Sequence, residues 1–224
     1  MKIESLRILA LYSLEHTLAA PLLAGKEYPW EVLSDIGSYI KTLGETLPPE
    51  VFYKQGDDVW IARSASVAPS AGITGPCIID EGAEIRHCAY IRGHAMVGKQ
   101  AVVGNSTELK NAILFDKVQV PHFNYIGDSI LGFGAHMGAG SVTSNVKSDK
   151  TPVVIKGNGI KMETGRKKCG AMLGDWVEVG CNSVLNPGTI IGKNTWIYPA
   201  SCVRGVIPAN TIYKNEQTIV IKYE

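Results

Sequence analysis

The fold of this chain is decided by residues 60–103, which read WIARSASVAPSAGITGPCIIDEGAEIRHCAYIRGHAMVGKQAVV. An aliphatic residue returns at every sixth position, and a small residue follows it four positions later. The aliphatic positions are Ile61, Val67, Ile73, Ile79, Ile85, Ile91, Val97 and Val103. The small residues are Ala65, Ala71, Cys77, Ala83, Ala89, Ala95 and Ala101. An α-helix repeats about every 3.6 residues and a strand about every 2, so a period of six indicates a β-helix of short parallel strands.

The same period continues to Leu114 without a break and returns from Leu173 to Val203. The large residue of each unit fills the axis, and the small one sits at a tight corner where bulk does not fit. We therefore predict an all-β protein whose β-helix domain spans residues 58–207. Residues 208–224 form a tail, and Thr218 to Tyr223 within it is typical of an edge strand, whose exposed backbone needs a partner.

Residues 1–57 do not follow the repeat. Leu6, Leu9 and Leu14 indicate a short helix, and apolar residues at helical spacing from Trp30 to Leu43 predict an amphipathic helix with Pro29 in its first turn. Because a stack of repeats must cover its exposed end, we predict that this short α-helical segment is a cap or a docking arm.

Two segments interrupt the β-helix pattern. Between Phe115 and Tyr125 the register slips, which predicts a bulge or loop. Residues 144–171 leave the repeat altogether, and the turn Gly157-Asn158-Gly159 between β-prone stretches predicts a projecting hairpin. Irregular segments on a rigid scaffold are where binding groups tend to lie, so we expect functional residues in both.

The composition excludes several classes of protein. A net charge of +1 over 224 residues argues against binding to nucleic acid or to an acidic membrane surface. No apolar run reaches the ~18 residues of a membrane span, and the first residues lack the cleavage site of a secretory signal, so we predict a cytoplasmic protein. Five cysteines without a CxxC pair and scattered histidines indicate neither a disulfide framework nor a metal site.

Three short motifs carry a resemblance to a known family. Residues 120–129 read VPHFNYIGDS, residues 138–145 read GAGSVTSN, and residues 163–171 read ETGRKKCGA. Together they resemble the acetyltransferase domain of the bifunctional N-acetylglucosamine-1-phosphate uridyltransferases, and most of all their archaeal-type relatives, the sugar-phosphate nucleotidyltransferases. The resemblance covers residues 60–207 and leaves out the nucleotidyltransferase domain, so uridyl transfer is not expected.

The resemblance implies a left-handed parallel β-helix with three six-residue units in each coil. It implies a homotrimer with active sites between neighbouring protomers, which agrees with the need of a narrow prism to cover its flat faces. It also implies acetyl-CoA as cosubstrate and an amino-sugar phosphate, such as glucosamine 1-phosphate, as acceptor.

The resemblance assigns roles to five residues. His122 corresponds to the general base, and imidazole titrates in the range that this task needs. Arg92 and Lys110 correspond to phosphate contacts, and their separation by eighteen residues places them on adjacent coils of one face. Tyr125 corresponds to a contact with the sugar phosphate and Asn145 to a contact with the amino sugar. Residue type alone leaves an alternative for each position. His122 could be a solvated histidine, and Arg92 and Lys110 ordinary surface charges. Tyr125 could be a packing aromatic and Asn145 a turn residue.

The sequence departs from the family near the sugar. At His136 the family has an asparagine that touches the sugar, and at Val146 it usually has an aromatic residue. His136 ends its six-residue unit and should point outward, as a second polar ligand or as an interface residue. Lys147 and Lys150 lie where archaeal-type relatives place lysines near the substrate, although solvated lysines are the alternative.

On the acetyl-CoA side the family contacts are mainly from backbone. The matching positions are Cys181, where a serine is usual, and Pro199, where an alanine is usual. Backbone contacts survive such changes, so we expect the cosubstrate slot to persist. The departures also leave a second hypothesis open, in which the chain is a non-catalytic sugar-nucleotide-binding or oligomerisation module. Arg166, Lys167 and Lys168 either attract CoA phosphates or solvate the hairpin.

Overall fold

The computed structural model describes residues 3–157 and 159–222, so Asn158 of the expected turn and Tyr223 of the expected tail strand lie outside the described residues. Parallel strands stack into eight coils, and their sides define three faces, which we name A, B and C. The predicted left-handed parallel β-helix of hexapeptide repeats is confirmed. The aliphatic residues of the repeat, such as Ile79, Ile91 and Val103, are fully buried along its axis.

The strands of each face pair with the equivalent strands of the next coil. Face A contains Val59–Ala62, Cys77–Ile79, Ala95–Val97, Ala171–Leu173, Thr189–Ile191 and Val206–Ile207. Face B contains Ser66–Val67, Glu84–Ile85, Val102–Asn105, Gln119–His122, His136–Met137, Glu178–Val179, Trp196–Ile197 and Thr211–Asn215. Face C contains Gly72–Thr74, Tyr90–Arg92, Val142–Thr143, Val184–Leu185 and Cys202–Val203. Two longer strands, Glu108–Leu114 and Tyr125–Leu131, begin on face C and end on face A.

Antiparallel strands close the two ends of the stack. Phe52–Lys54 pairs with Val59–Ala62 at the first coil. Thr218–Ile221 pairs with Thr211–Asn215 at the last coil, which confirms the edge strand over its described residues.

The corners of the coils explain the small residues of the repeat. Cys88, Gln100 and Ser106 each turn the chain with a φ between 52° and 56°, the left-handed conformation. The residue after each of them is a buried Ala or Thr, as in the pair Cys88-Ala89. A larger side chain there would enter the turn of the neighbouring coil, because the corner already points it inward.

The register slip lies elsewhere than the sequence predicts. The six-residue spacing holds through Leu114, Val120 and Ile126, so the expected loop between Phe115 and Tyr125 is wrong. Two shortened units are Leu109 to Leu114 and Ile126 to Leu131, where a seven-residue strand continues through the corner, and a third, Val203 to Ile207, lies in the last coils. A strand that passes a corner without a separate turn uses one residue fewer, so the coil shrinks and no loop is expelled.

The N-terminal segment, residues 3–50, lies along face A, not over an end of the stack. It consists of the 3-10 helices Ile3–Leu6, Leu14–His16 and Pro29–Ser34 and the α-helices Ile8–Leu11, Ala20–Ala24 and Ile36–Gly44. The outward side chains of face A are apolar, and at least six of them are no more than 4% exposed: Trp60, Ile78, Met96, Ile113, Ile130 and Met172. The segment therefore covers a flat face that we expected a neighbouring protomer to cover.

The contacts of this segment run in order along the face. Gly44 lies against Trp60 of the first coil, where a Cβ would be 2.3 Å from the indole ring. Further along, Asn111 donates to the Leu33 carbonyl at 3.0 Å. Near the last coils, the Asp175 backbone N–H donates to the Leu11 carbonyl at 3.0 Å. The segment thus spans most of the stack and runs against the direction in which the coils advance.

The predicted hairpin is present as Val154–Gly157 and Ile160–Glu163, but it packs against the β-helix and does not project freely. Val153 and Ile155 are fully buried, and a Cβ on Gly157 would lie 2.9 Å from the Val206 nitrogen. Arg166 at its base donates to the Ser34 hydroxyl at 2.8 Å and to the Glu31 carbonyl at 3.2 Å. This basic residue therefore ties the hairpin to the N-terminal segment.

Among the described residues, no helix is both long enough and apolar enough to cross a membrane.

We predict that Asp175→Ala detaches the N-terminal segment. Asp175 is 2% exposed, and its carboxylate binds Lys193 at 2.8 Å and the Ser13 amide and hydroxyl at 2.9 and 2.7 Å. Removing a buried carboxylate leaves these groups unpaired and should lower the free energy of unfolding by about 3–5 kcal/mol, measured by urea titration. Glu45→Ala breaks an exposed ion pair with Lys54 and serves as the control. Equal losses in both variants would contradict the assignment.

A second prediction concerns pH. Burial raises the pKa of Asp80 to about 6, and burial also raises the pKa of Asp116. Because the folded pKa of Asp80 lies above its unfolded value, its burial costs stability once the carboxyl ionises, and this cost appears as pH rises from about 4 to 7. The advantage of Asp80→Asn over the wild type should grow by on the order of 2–3 kcal/mol across that range. A constant difference between the two unfolding profiles would refute this account.

Candidate active site

A buried carboxylate organises the corner between faces C and A. Asp128 is 4% exposed and adopts a φ of 48°, which Asp tolerates better than most residues. Its oxygens accept hydrogen bonds from Lys110 at 3.1 Å and from Asn111 at 2.8 Å, and the Asn145 amide donates to it at 2.5 Å. Asn111, Asp128 and Asn145 occupy the same corner on three successive coils. The column of side chains therefore joins the coils through one charged group.

Two of the predicted sugar contacts meet beside this carboxylate. The Asn145 amide also donates to the Tyr125 hydroxyl at 3.3 Å. Gly127 makes room for the phenol ring on face C, because a Cβ there would lie 2.5 Å from the Tyr125 hydroxyl. Burial raises the pKa of Tyr125, so the phenol keeps its proton at neutral pH and can donate a hydrogen bond to a ligand.

The two predicted phosphate contacts do lie on adjacent coils of face C, since the strand of Arg92 pairs in register with that of Lys110. Each cation already has a carboxylate partner. Arg92 binds Glu108 at 2.7 Å, and Lys110 binds both oxygens of Asp128. Because guanidinium has five N–H donors and ammonium three, both retain free donors, although the net charge of the four groups is zero.

His122 lies at the corner between faces B and C, at the end of the strand Gln119–His122. Its side chain is exposed, and its backbone is held on both sides. The Asn124 side chain accepts a hydrogen bond from the His122 amide at 3.1 Å, and Gly140 donates to the His122 carbonyl at 3.0 Å. Asn124 is buried and donates to the Gly138 and Ser141 carbonyls of the next coil. The position of the imidazole is thus set by a folded corner and not by a loop.

The two predicted acetyl-CoA positions lie on the same edge as His122. Going up the stack from His122, the equivalent positions on the next three coils are Ala139, Cys181 and Pro199, linked by the bonds from Asn182 to Ala139 and from Ala200 to Cys181. Strands of neighbouring coils are about 4.8 Å apart, so Cys181 lies roughly 10 Å and Pro199 roughly 14 Å from His122 along the edge. The edge is long enough for an extended thioester arm.

His136 lies apart from the residues of face C. It is on face B, in register with Gln119 and Glu178, and its Nδ1 is 2.7 Å from the Glu178 carboxylate. Its side chain points outward, as the sequence predicts. A single chain does not bring His136 next to Lys110 or Tyr125, because the two groups occupy different faces of the prism.

The loop lysines follow Asn145 directly. Lys147 binds Asp149 at 3.1 Å, and Lys150 is exposed at a turn with a φ of 56°. Hydrogen bonds from the Thr151 backbone and hydroxyl, followed by the one from Lys147, lower the pKa of Asp149 to about 2. Val146 is exposed at this loop and leaves an open surface there.

Sequence reasoning missed Asn111, Asp128 and Asn124 as parts of the site. Asp128 stands inside the motif VPHFNYIGDS, and a spacing of 17 residues separates it from Asn111 on one side and from Asn145 on the other. Counting coils as 17 residues would have aligned the three polar residues in one column. Within the described residues, no group of three or more His, Cys, Asp or Glu is placed to hold a metal ion.

These features define a hexapeptide-repeat β-helix protein with a polar column and an exposed histidine at one edge. Comparisons with known proteins agree with the resemblance read from the motifs. Residues 73–166 match the model of the GMPPB C-terminal domain. The chain is 32% identical over 214 residues to the bifunctional protein GlmU of Methanococcus vannielii, covering 87% of this chain and 47% of that protein.

A second relative is the bifunctional sugar-1-phosphate nucleotidylyltransferase/acetyltransferase of Sulfurisphaera tokodaii, which is 30% identical over 70% of this chain and 43% of its own length. The chain therefore spans about half the length of the curated relatives it matches. Among solved structures, the acetyltransferase domain of PglB from Neisseria gonorrhoeae covers 72% of this chain and 56% of its own, with 15% identity and a TM-score of 0.33.

We predict that Asp128→Asn destabilises the site corner. The substitution keeps the shape of the side chain but leaves the Lys110 ammonium without its counter-charge, and Lys110 is only 25% exposed. Because water reaches part of Lys110, the expected loss in free energy of unfolding is about 1–3 kcal/mol, below that of a fully buried pair. Asp149→Asn, which also removes a lysine-paired carboxylate but at an exposed site, should cause no comparable loss. Equal losses of stability in the two variants would show that Asp128 has no special structural role.

Proposed function

We propose that this chain transfers an acetyl group from acetyl-CoA to the amine of an amino-sugar phosphate, with glucosamine 1-phosphate or a close relative as acceptor. The observation that carries the proposal is the similarity to bifunctional GlmU proteins over 87% of the chain. The Sulfurisphaera relative is named a bifunctional sugar-1-phosphate nucleotidylyltransferase/acetyltransferase, which supports acetyl transfer and a sugar-phosphate acceptor. The proposal does not draw on the part of those proteins that lies outside the matched region.

His122 is the proposed general base. The acceptor amine attacks the thioester carbonyl, a C–N bond forms, and the C–S bond breaks. Imidazole takes the amine proton and returns it to the departing sulfur, so CoA leaves as a thiol and no net proton is gained or lost. An exposed imidazole on a fixed backbone is suited to this task, because it reaches a ligand without moving the fold.

The acceptor would lie on face C. Lys110 and Arg92 would donate to the phosphate with the N–H groups that their carboxylate partners leave free, and Tyr125 and Asn145 would contact the sugar. Because the two cations are neutralised, the phosphate would be held by directed hydrogen bonds more than by net charge. Holding amine and thioester together can by itself contribute about 7–11 kcal/mol to lowering the barrier.

The acetyl-CoA arm would follow the edge of Cys181 and Pro199 toward His122. Cys181 needs no covalent role, because the amine attacks the thioester directly. With face A covered by the N-terminal segment, faces B and C remain for contact with other protomers. A homotrimer would then bring His136 on face B of one protomer toward face C of the next, as an acceptor contact or an interface residue.

We predict that His122→Ala lowers kcat for acetylation of glucosamine 1-phosphate by about 10²–10⁴-fold, the usual contribution of general-base catalysis. Release of CoA thiol measures the rate. His87→Ala is the matched control, because His87 occupies the same edge two coils earlier and is also exposed to solvent. The control should retain full activity.

If His122→Ala retains wild-type activity, His122 is not the general base. A wild type that releases no thiol with any amino-sugar phosphate and gains no thermal stability from acetyl-CoA or CoA would favour the non-catalytic module instead, since a ligand that binds the folded state must stabilise it.

A further inference from the structure

A basic cleft begins at Lys147 and lies where the hairpin meets the last coils. It consists of two adjoining hollows of about 290 and about 120 Å³ that share Lys147, Pro187 and Arg204 in their walls. Lys156 of the hairpin lines the smaller hollow, and Asn186 lines the larger one. The larger hollow is near the lower limit of small-ligand sites in volume. Its walls come from three separate parts of the chain.

The cleft carries uncompensated positive charge. Three cations, Lys147, Lys156 and Arg204, face one carboxylate, that of Asp149, which is paired with Lys147. Within the described ranges, neither Lys156 nor Arg204 has an acidic partner, and Arg204 donates only to the neutral Asn186 side chain at 3.2 Å. The charges at Arg92 and Lys110, in contrast, are each cancelled by a carboxylate. The cleft thus has a net positive charge, which the surroundings of Arg92 and Lys110 lack.

Close packing holds the backbone around the cleft in place. Lys156 is presented by the hairpin strand Val154–Gly157, whose backbone is pressed onto the last coil at Gly205. A Cβ on Gly205, which has a φ of 80°, would lie 2.2 Å from the Lys156 carbonyl. A Cβ on Gly188, with a φ of 77°, would lie 2.7 Å from the Val153 side chain. Glycine is needed at both positions for the hairpin to approach this closely, so the cleft is formed before any ligand arrives.

The cleft is too far from Lys110 to hold the same phosphate. Arg204 stands in the face C column of Arg92 and Lys110, and four coils separate it from Lys110. At about 4.8 Å for each coil the two backbone positions are roughly 19 Å apart. A ligand that reaches the cleft from the reaction site must therefore carry a second phosphorylated part.

We propose that Lys147, Lys156 and Arg204 bind a phosphate or diphosphate of a nucleotide-bearing substrate. Two substrates of the proposed reaction have this chemistry. One is CoA, with a diphosphate and a 3′-phosphate, and the other is an amino sugar linked to a nucleoside diphosphate. The identity of the nucleotide rests on the proposed function, whereas the affinity of the cleft for phosphate does not.

The test measures binding by calorimetry, so it needs no turnover. The probes are inorganic pyrophosphate, CoA, dephospho-CoA, UDP and glucosamine 1-phosphate. The variant is Lys156→Gln with Arg204→Gln, and the control is Arg63→Gln with Lys117→Gln, which removes the same charge at exposed residues that line neither hollow. The cleft variant should weaken pyrophosphate binding by at least about tenfold, and the control by less than about twofold. Raising the salt concentration should reduce the difference.

The probes distinguish the sources. A loss confined to CoA assigns the cleft to the 3′-phosphate, a loss shared by CoA and dephospho-CoA assigns it to the diphosphate, and a loss with UDP assigns it to a nucleotide-linked acceptor. Glucosamine 1-phosphate should bind the cleft variant as it binds the wild type. If the wild type does not bind pyrophosphate, or if cleft and control variants bind every probe alike, the proposal is overturned, whatever the result for His122→Ala.

Discussion

The hydrogen bonds between successive coils are the constraint on which the rest of this molecule depends. Each strand bonds to the equivalent strand one coil away, so residues about 17 or 18 positions apart come to lie one above the other. Once that ladder forms, each corner and face becomes a column. Asn111, Asp128 and Asn145 are brought together in this way, and so are His122 and Cys181, although 59 positions separate the last two. An interruption of the coil, such as residues 144–170, leaves the columns intact because the ladder resumes in register.

Covering a flat face is the second requirement of such a prism. A row of apolar side chains on face A would cost free energy if left in water, and the N-terminal segment and the hairpin bury it within the same chain. Hydrogen bonds from Asp116 to His16 and from Asp175 to Leu11 fix the segment along the stack. The sites near face C are thereby connected to the N-terminal segment, because Asn111 bonds to both the Leu33 carbonyl and Asp128.

Charge pairing divides face C into two regions of different character. Around Lys110 each cation lies beside a carboxylate, which fixes its position but leaves little net attraction at a distance. Around Lys156 and Arg204 the cations lack such partners, so the field extends further and the side chains are held less rigidly. The first arrangement suits the orientation of a small ligand, and the second suits the capture of an anionic one.

The amino-acid sequence by itself determined the repeat, and with it the fold, because an aliphatic residue at every sixth position can be buried only along the axis of a β-helix. It also identified Arg92 and Lys110 as neighbours, since their spacing equals one coil.

The sequence failed to predict the features that depend on long-range packing. The one-residue contractions at Leu114 and Leu131 leave no turn signal, because the strand simply continues. Likewise, the helical residues near Leu33 show an apolar stripe but not which surface the stripe covers. Tertiary structure alone decided that the N-terminal segment lies on face A, that Asp128 joins Lys110 to Asn145, and that His136 faces away from them, because each depends on which columns the stacked coils bring into contact.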